Sequence, residues 1–199
     1  MQIVIPGPRT AEQTAESGIL AGIAASLPMA LVWMIASASV GDGFFTPMYH
    51  VAFVVDPHTW PDSLRFAAAG EATYFRNEPF FFGVAMHVVV GGFFGVVFAL
   101  GARLLRPPRR LALMAGTAYG LVVMAVMSVV ALPIIANAVD GGDPIALMGA
   151  EVGWPIFVLD HLVYGLGLGL WLRWRPQDAG LPVDPVSGPS SFSESPGRI

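Results

Sequence analysis

Two histidines stand in matching surroundings. "MHVVVGGFFG", residues 86–95, is echoed by "DHLVYGLGLG", residues 160–169. His87 is followed four and eight residues later by Gly91 and Gly95, and His161 by Gly165 and Gly169. An imidazole in an apolar run has three uses. It can hydrogen-bond a neighbouring helix, hold a metal or haem iron through a neutral ring nitrogen, or pass a proton. Glycines four and eight residues on share the histidine's helix face. There they let a second backbone come close, or leave clearance beside a flat cofactor. Asp160 is the acid inside the second of these runs. Adjacent to His161, it points about 100° away around a helix and cannot orient that ring. It is a candidate group for a proton or solute path instead.

The cofactor reading takes His87 and His161 as axial ligands of a haem b, with Arg65 or Arg76 against the propionates. A copper or zinc reading adds His50 and His58, with Met48 and Met86 as soft donors suited to Cu(I). The packing reading needs only carbonyls that lack partners. Pro133 and Pro28 each remove a helix hydrogen bond, freeing the carbonyls of Val129 and Ala24. A histidine N–H could satisfy Val129, and Ser128 and Asn137 are other partners. No serine-nucleophile, phosphate-loop, dinucleotide or zinc-protease pattern surrounds these residues, so the chain reads as non-catalytic. Cysteine is absent, which excludes disulfides and thiolate chemistry.

The elements that must position these groups are apolar and long. The chain is 55% hydrophobic and 12% charged, against about 25% charged in a soluble domain. Four stretches, about 17–41, 79–102, 111–139 and 152–172, are nearly free of charge. Each has the roughly 20 apolar residues that a membrane-spanning helix needs. The fold expected is all-α: an integral membrane four-helix bundle. The first stretch exceeds the 7–15 apolar residues of a signal peptide and has only Arg9 before it, so it reads as a retained span.

Arginine asymmetry orients the bundle. Arg103, Arg106, Arg109 and Arg110 crowd the link between spans two and three, and Arg173 and Arg175 follow span four. Positive-inside bias then places both termini in the cytoplasm of a cell (inner) membrane, with Arg65 and Arg76 opposing but outnumbered. Residues 1–16 form a cytoplasmic N-terminal segment, 17–175 the bundle, and 176–199 a Pro/Ser/Gly-rich tail expected to be disordered. The outer loop 41–78 holds an apolar piece too short to span, read as a half-buried interfacial helix or a re-entrant piece, then an alanine-rich piece read as one more short helix. Pro79 and Pro155 mark first helical turns.

The matching histidine frames, with the weaker "AG" match at Ala21–Gly22 and Ala115–Gly116, divide the chain into two similar hairpins. They form a parallel repeat about an axis along the membrane normal. Symmetry would bring His87 and His161 to similar depth, converging on the bundle interior.

Together, "GDGFFTPMYHVA", "FFGVAMHVVVGGFFGVVFAL", "AGTAYGLVVMAVMSVVALP" and "FVLDHLVYGLGLGL" resemble a family of small uncharacterised bacterial and archaeal four-helix membrane proteins, distantly YagU-like. The resemblance covers roughly residues 18–174 and implies the same four-helix architecture, with no activity to carry over. The function expected is that of a non-catalytic structural or accessory component of a membrane assembly. Its partners would be the lipid bilayer, other membrane subunits or a second copy. The net charge of −4 gives no reason to expect nucleic acid.

Overall fold

The first helix, α1 (Ala11–Val40), begins at a capping box. The Gln13 N–H donates to Thr10 Oγ1 at 3.2 Å, and the Thr10 N–H donates to Gln13 Oε1 at 3.0 Å. That box satisfies two donors left over at the helix start, and it sets the start at Ala11, within the expected surface segment. Gly41, at φ 91°, ends the helix in the left-handed conformation that glycine adopts without penalty. The computed structural model describes residues 10–175, and the tail over 176–199 lies outside the described residues.

Three further long helices follow. α4 (Asn77–Leu105) and α9 (Trp154–Trp174) both carry proline in the first turn. Between them, α5 (Ala112–Val126) widens through a π turn at Met127–Ala131 and continues as α6 (Leu132–Ala138). The sequence predicts one unbroken helix here. Pro133 explains the difference: it has no N–H for the carbonyl four residues back, and its ring crowds that carbonyl, so the turn before it opens. Among the described residues, four helical stretches are thus long and apolar enough to cross a membrane, with mean hydropathies of 1.5 to 2.4.

Short helices close one end. α2 (Thr46–Ala52) and α3 (Thr59–Ala68) occupy the loop where an interfacial helix or re-entrant piece and one more short helix are expected. α7 (Gly142–Ala146) and α8 (Met148–Val152) fill the link that the sequence leaves as loop. This roof is well packed: Met48, Tyr49, Ala52 and Ile145 are buried. The Tyr49 hydroxyl ties it to α4, accepting from the Arg76 N–H at 2.7 Å. Met48 lies so close to Gly83 of α4 that a Cβ there would strike the Met48 carbonyl.

Glycines join the long helices in pairs. α1 lies on α4, where a Cβ on Gly22 would meet the Gly91 carbonyl and one on Gly95 would come within 2.6 Å of Gly22 Cα. α5 lies on α9, where a Cβ on Gly116 would meet the Gly165 carbonyl and one on Gly169 would come within 2.9 Å of Leu113 Cα. Gly91, Gly95, Gly165 and Gly169 therefore all serve close backbone packing. Between the pairs, a Cβ on Gly167 of α9 would lie 2.8 Å from Ala25 Cβ of α1. Two tyrosines on the second pair reach carbonyls of α4: Tyr164 to Gly91 at 2.6 Å and Tyr119 to Phe94 at 2.8 Å.

Replacing Gly22 or Gly116 with alanine drives a methyl into a facing carbonyl. Each change should destabilise the folded protein by about 2 kcal/mol, as overpacking does. Gly101→Ala meets nothing within 4 Å and should be neutral or stabilise by about 0.5 kcal/mol. Thermal unfolding of the purified variants checks the contrast.

Candidate functional site

Beyond the last close glycine contacts, large side chains hold the helices apart and leave a partly open cavity of about 140 Å³ between them. α1 contributes Ser26, Met29 and Trp33, α4 contributes Met86, His87 and Val90, and α9 contributes Phe157, His161 and Tyr164. The third long helix and the roof add Met127, Leu132, Val51 and Met148 to the lining. The lining is apolar apart from the two imidazoles, Ser26 and Tyr164. The structure thus brings His87 and His161 to one chamber.

Each ring is tied to a backbone carbonyl. His87 Nε2–H donates to Ser26 O at 3.0 Å, and His161 Nδ1–H donates to Phe157 O at 2.7 Å. A carbonyl only accepts, so in the neutral ring the proton sits on the bonded nitrogen. His87 Nδ1 and His161 Nε2 then carry free lone pairs. Among the described residues, the fully enclosed side-chain atoms without a partner are Asp160 Oδ1 and Arg103 Nη1. Both histidines line the chamber.

The carbonyls used differ from those the sequence nominates. Val129 is 74% exposed and faces outward, Asn137 is exposed, and Ser128 Oγ bonds Met124 O of its own helix at 2.8 Å. His87 finds Ser26 because the glycine contacts lay α4 on α1. His161 uses the preceding turn of its own helix.

The other nominated residues lie elsewhere. Asp160 is 1% exposed and is not part of the chamber wall. His50 sits in the roof, donating from Nε2 to Pro144 O at 2.8 Å and stacked on Trp60 with centroids 4.2 Å apart. Burial pushes its pKa down to about 4, against the pull of the Pro144 carbonyl. His58 is an exposed residue preceding α3. Met86 lines the chamber, whereas Met48 is buried within the roof. Arg65 pairs with Asp62 at 3.1 Å, and neither Arg65 nor Arg76 lines the chamber. Among the described residues no three His, Cys, Asp or Glu side chains gather as metal ligands. The chamber matches the roughly 150 Å³ of a benzene-binding cavity, and a porphyrin is several times larger than benzene. The chamber lining has no arginine or lysine side chain to meet haem propionates.

A second cavity, of about 290 Å³, lies between the end of α1 and the roof. Ser37, Asp42, His50, Trp60 and Glu151 line it, and Trp33 is a wall of both cavities. Trp33, Trp60, Tyr119 and Tyr164 were not singled out from the sequence. The signal for the tyrosines is a hydroxyl inside an apolar run, which needs an acceptor when buried.

No family model, curated protein or solved structure matches the chain.

His50 carries a pH prediction. Its folded pKa, about 4, lies below the 6.5 of the free side chain. Between these values the unfolded chain binds the proton and the folded one does not, so stability falls as pH drops from 6.5 towards 4. The full loss is about 3 kcal/mol. His50→Gln should flatten that part of the stability–pH curve, measured by thermal unfolding beside the parent protein.

Proposed function

We propose that this chain is a non-catalytic, four-span integral membrane protein that holds a small apolar molecule between its helices. The observation that carries this reading is the chamber: benzene-sized, apolar, and bordered by two histidines. Binding sites are commonly apolar cavities with a few well-placed polar groups. The paired glycine contacts support an arrangement of two similar hairpins repeated in parallel. Membrane insertion is supported by outward apolar side chains, among them Leu20, Val89, Phe93 and Val129, exposed by 62–74%. With the arginine-bearing end inside, the roof faces outward and both termini lie in the cytoplasm. An accessory role in a larger membrane assembly agrees with the absence of catalytic motifs.

Because the chain has no cysteine, single substitutions report topology directly. Thr73→Cys should label with a membrane-impermeant maleimide in intact cells, and Arg110→Cys only after lysis. The opposite pattern would invert the orientation.

Binding is tested with toluene and p-cresol on purified protein. Both should bind, with cresol tighter by a few fold because its hydroxyl donates to an imidazole. Val90→Phe should abolish both by filling the chamber, and His161→Leu should remove the advantage of cresol. Failure of both probes to bind, or binding that Val90→Phe leaves intact, would overturn the reading.

A further inference from the structure

The outer cavity has a composition that the inner chamber lacks. Asp42 and Glu151 are exposed carboxylates on its wall, and no arginine or lysine lines it. Among the described residues the one side-chain ion pair is Arg65–Asp62, so neither carboxylate is neutralised by a cation of the protein. His50 adds no charge at neutral pH, since burial pushes its pKa to about 4. Two indoles complete the wall: Trp60, stacked on His50 at an interplanar angle of 9°, and Trp33, whose ring centroid lies 6.1 Å from that of His50. Unpaired carboxylates lining one cavity with two indoles suit an organic cation with little hydration.

The two cavities are neighbours. Trp33 borders both, and chain neighbours divide between them: His50 outside and Val51 inside, Ile156 outside and Phe157 inside. A molecule that fills both has a cationic head in the outer cavity and an apolar tail of about benzene size in the chamber. We infer that the ligand of this protein is an amphiphilic organic cation, a quaternary or substituted ammonium joined by a short linker to a ring or compact alkyl group. The inference rests on the proposed role of the chamber and adds the chemistry of the head.

Four probes test it on the full-length protein in detergent, by isothermal titration: propylbenzene for the tail, tetramethylammonium for the head, (3-phenylpropyl)trimethylammonium for both, and 3-phenylpropanesulfonate with the charge reversed. The joined cation should bind at least about tenfold more tightly than propylbenzene, a difference within the reach of cation–π and charge contacts at a partly desolvated site. The sulfonate should bind more weakly than propylbenzene. The double substitution Asp42→Asn, Glu151→Gln affects exposed side chains, so folding is retained; it should erase the cation's advantage while leaving propylbenzene affinity unchanged. Trp60→Leu should weaken the joined cation by several fold. Propylbenzene binding with no preference for the cation overturns this inference and leaves the chamber reading standing. A preference that survives removal of both carboxylates overturns it also, as does tetramethylammonium binding as tightly as the joined probe. Failure of propylbenzene to bind strikes the chamber reading and this inference together.

Discussion

The closest contacts between the long helices are backbone against backbone, and they depend on glycine. A helix backbone in an apolar environment satisfies its own polar groups, so dispersion must hold one helix to the next. Dispersion falls quickly with separation, and a side chain at the crossing would forfeit much of it. Gly22, Gly91 and Gly95 remove that spacer from the first pair, and Gly116, Gly165 and Gly169 from the second. These contacts fix which helices are partners. The partner choice decides which carbonyl each buried polar side chain can reach.

The chamber follows from where the glycines stop. Towards the roof, the positions facing the interior are Met29, Trp33, Met86, Met127 and Phe157, all large. Backbones drawn together at one end and spaced by bulky side chains at the other leave room between them. His87 and His161 each stand one turn before the first glycine of their run, at the changeover from tight to open packing. Their shared frame has a physical reason: the glycines bring the backbone close, and the histidine occupies the first place where space opens. Its N–H is satisfied by a carbonyl, and the residue borders the apolar chamber.

Legibility in the sequence followed the range of the interactions involved. The four long helices were legible because length and apolarity are local properties. The proline at the start of α4, the one at the start of α9 and the trouble caused by Pro133 could be read, although a π turn as its remedy could not. The glycine contacts were legible as a frame of four and eight residues, without their partners. α7 and α8 were not legible. Their five-residue pieces of "GGDPIALMGAEVG" carry turn signals, and Ile145 and Met148 become helical against the bundle, a tertiary effect. The acceptors of His87, Tyr119 and Tyr164 lie 61, 25 and 73 residues away, beyond any local pattern. The outer cavity draws on α1, the roof and the link before α9, so no single segment announced it.

The charges at the two ends connect orientation with recognition. Arg103, Arg106, Arg109, Arg110 and Arg173 lie at the end away from the roof, where Arg109 also donates to the Arg175 carbonyl at 3.3 Å. Asp42, Glu71, Glu78, Asp140, Asp143 and Glu151 lie at the roofed end. In the proposed orientation the arginines hold their end in the cytoplasm. The acidic end is left at the outer surface, where its field draws in cations and turns anions away. Trp33 and Trp60 line the outer cavity at that end. The residues that would orient the chain in a membrane are then of one piece with those that would choose its ligand. An amphiphilic cation gathered at the outer surface would meet carboxylates and indoles first, and an apolar chamber directly beneath them.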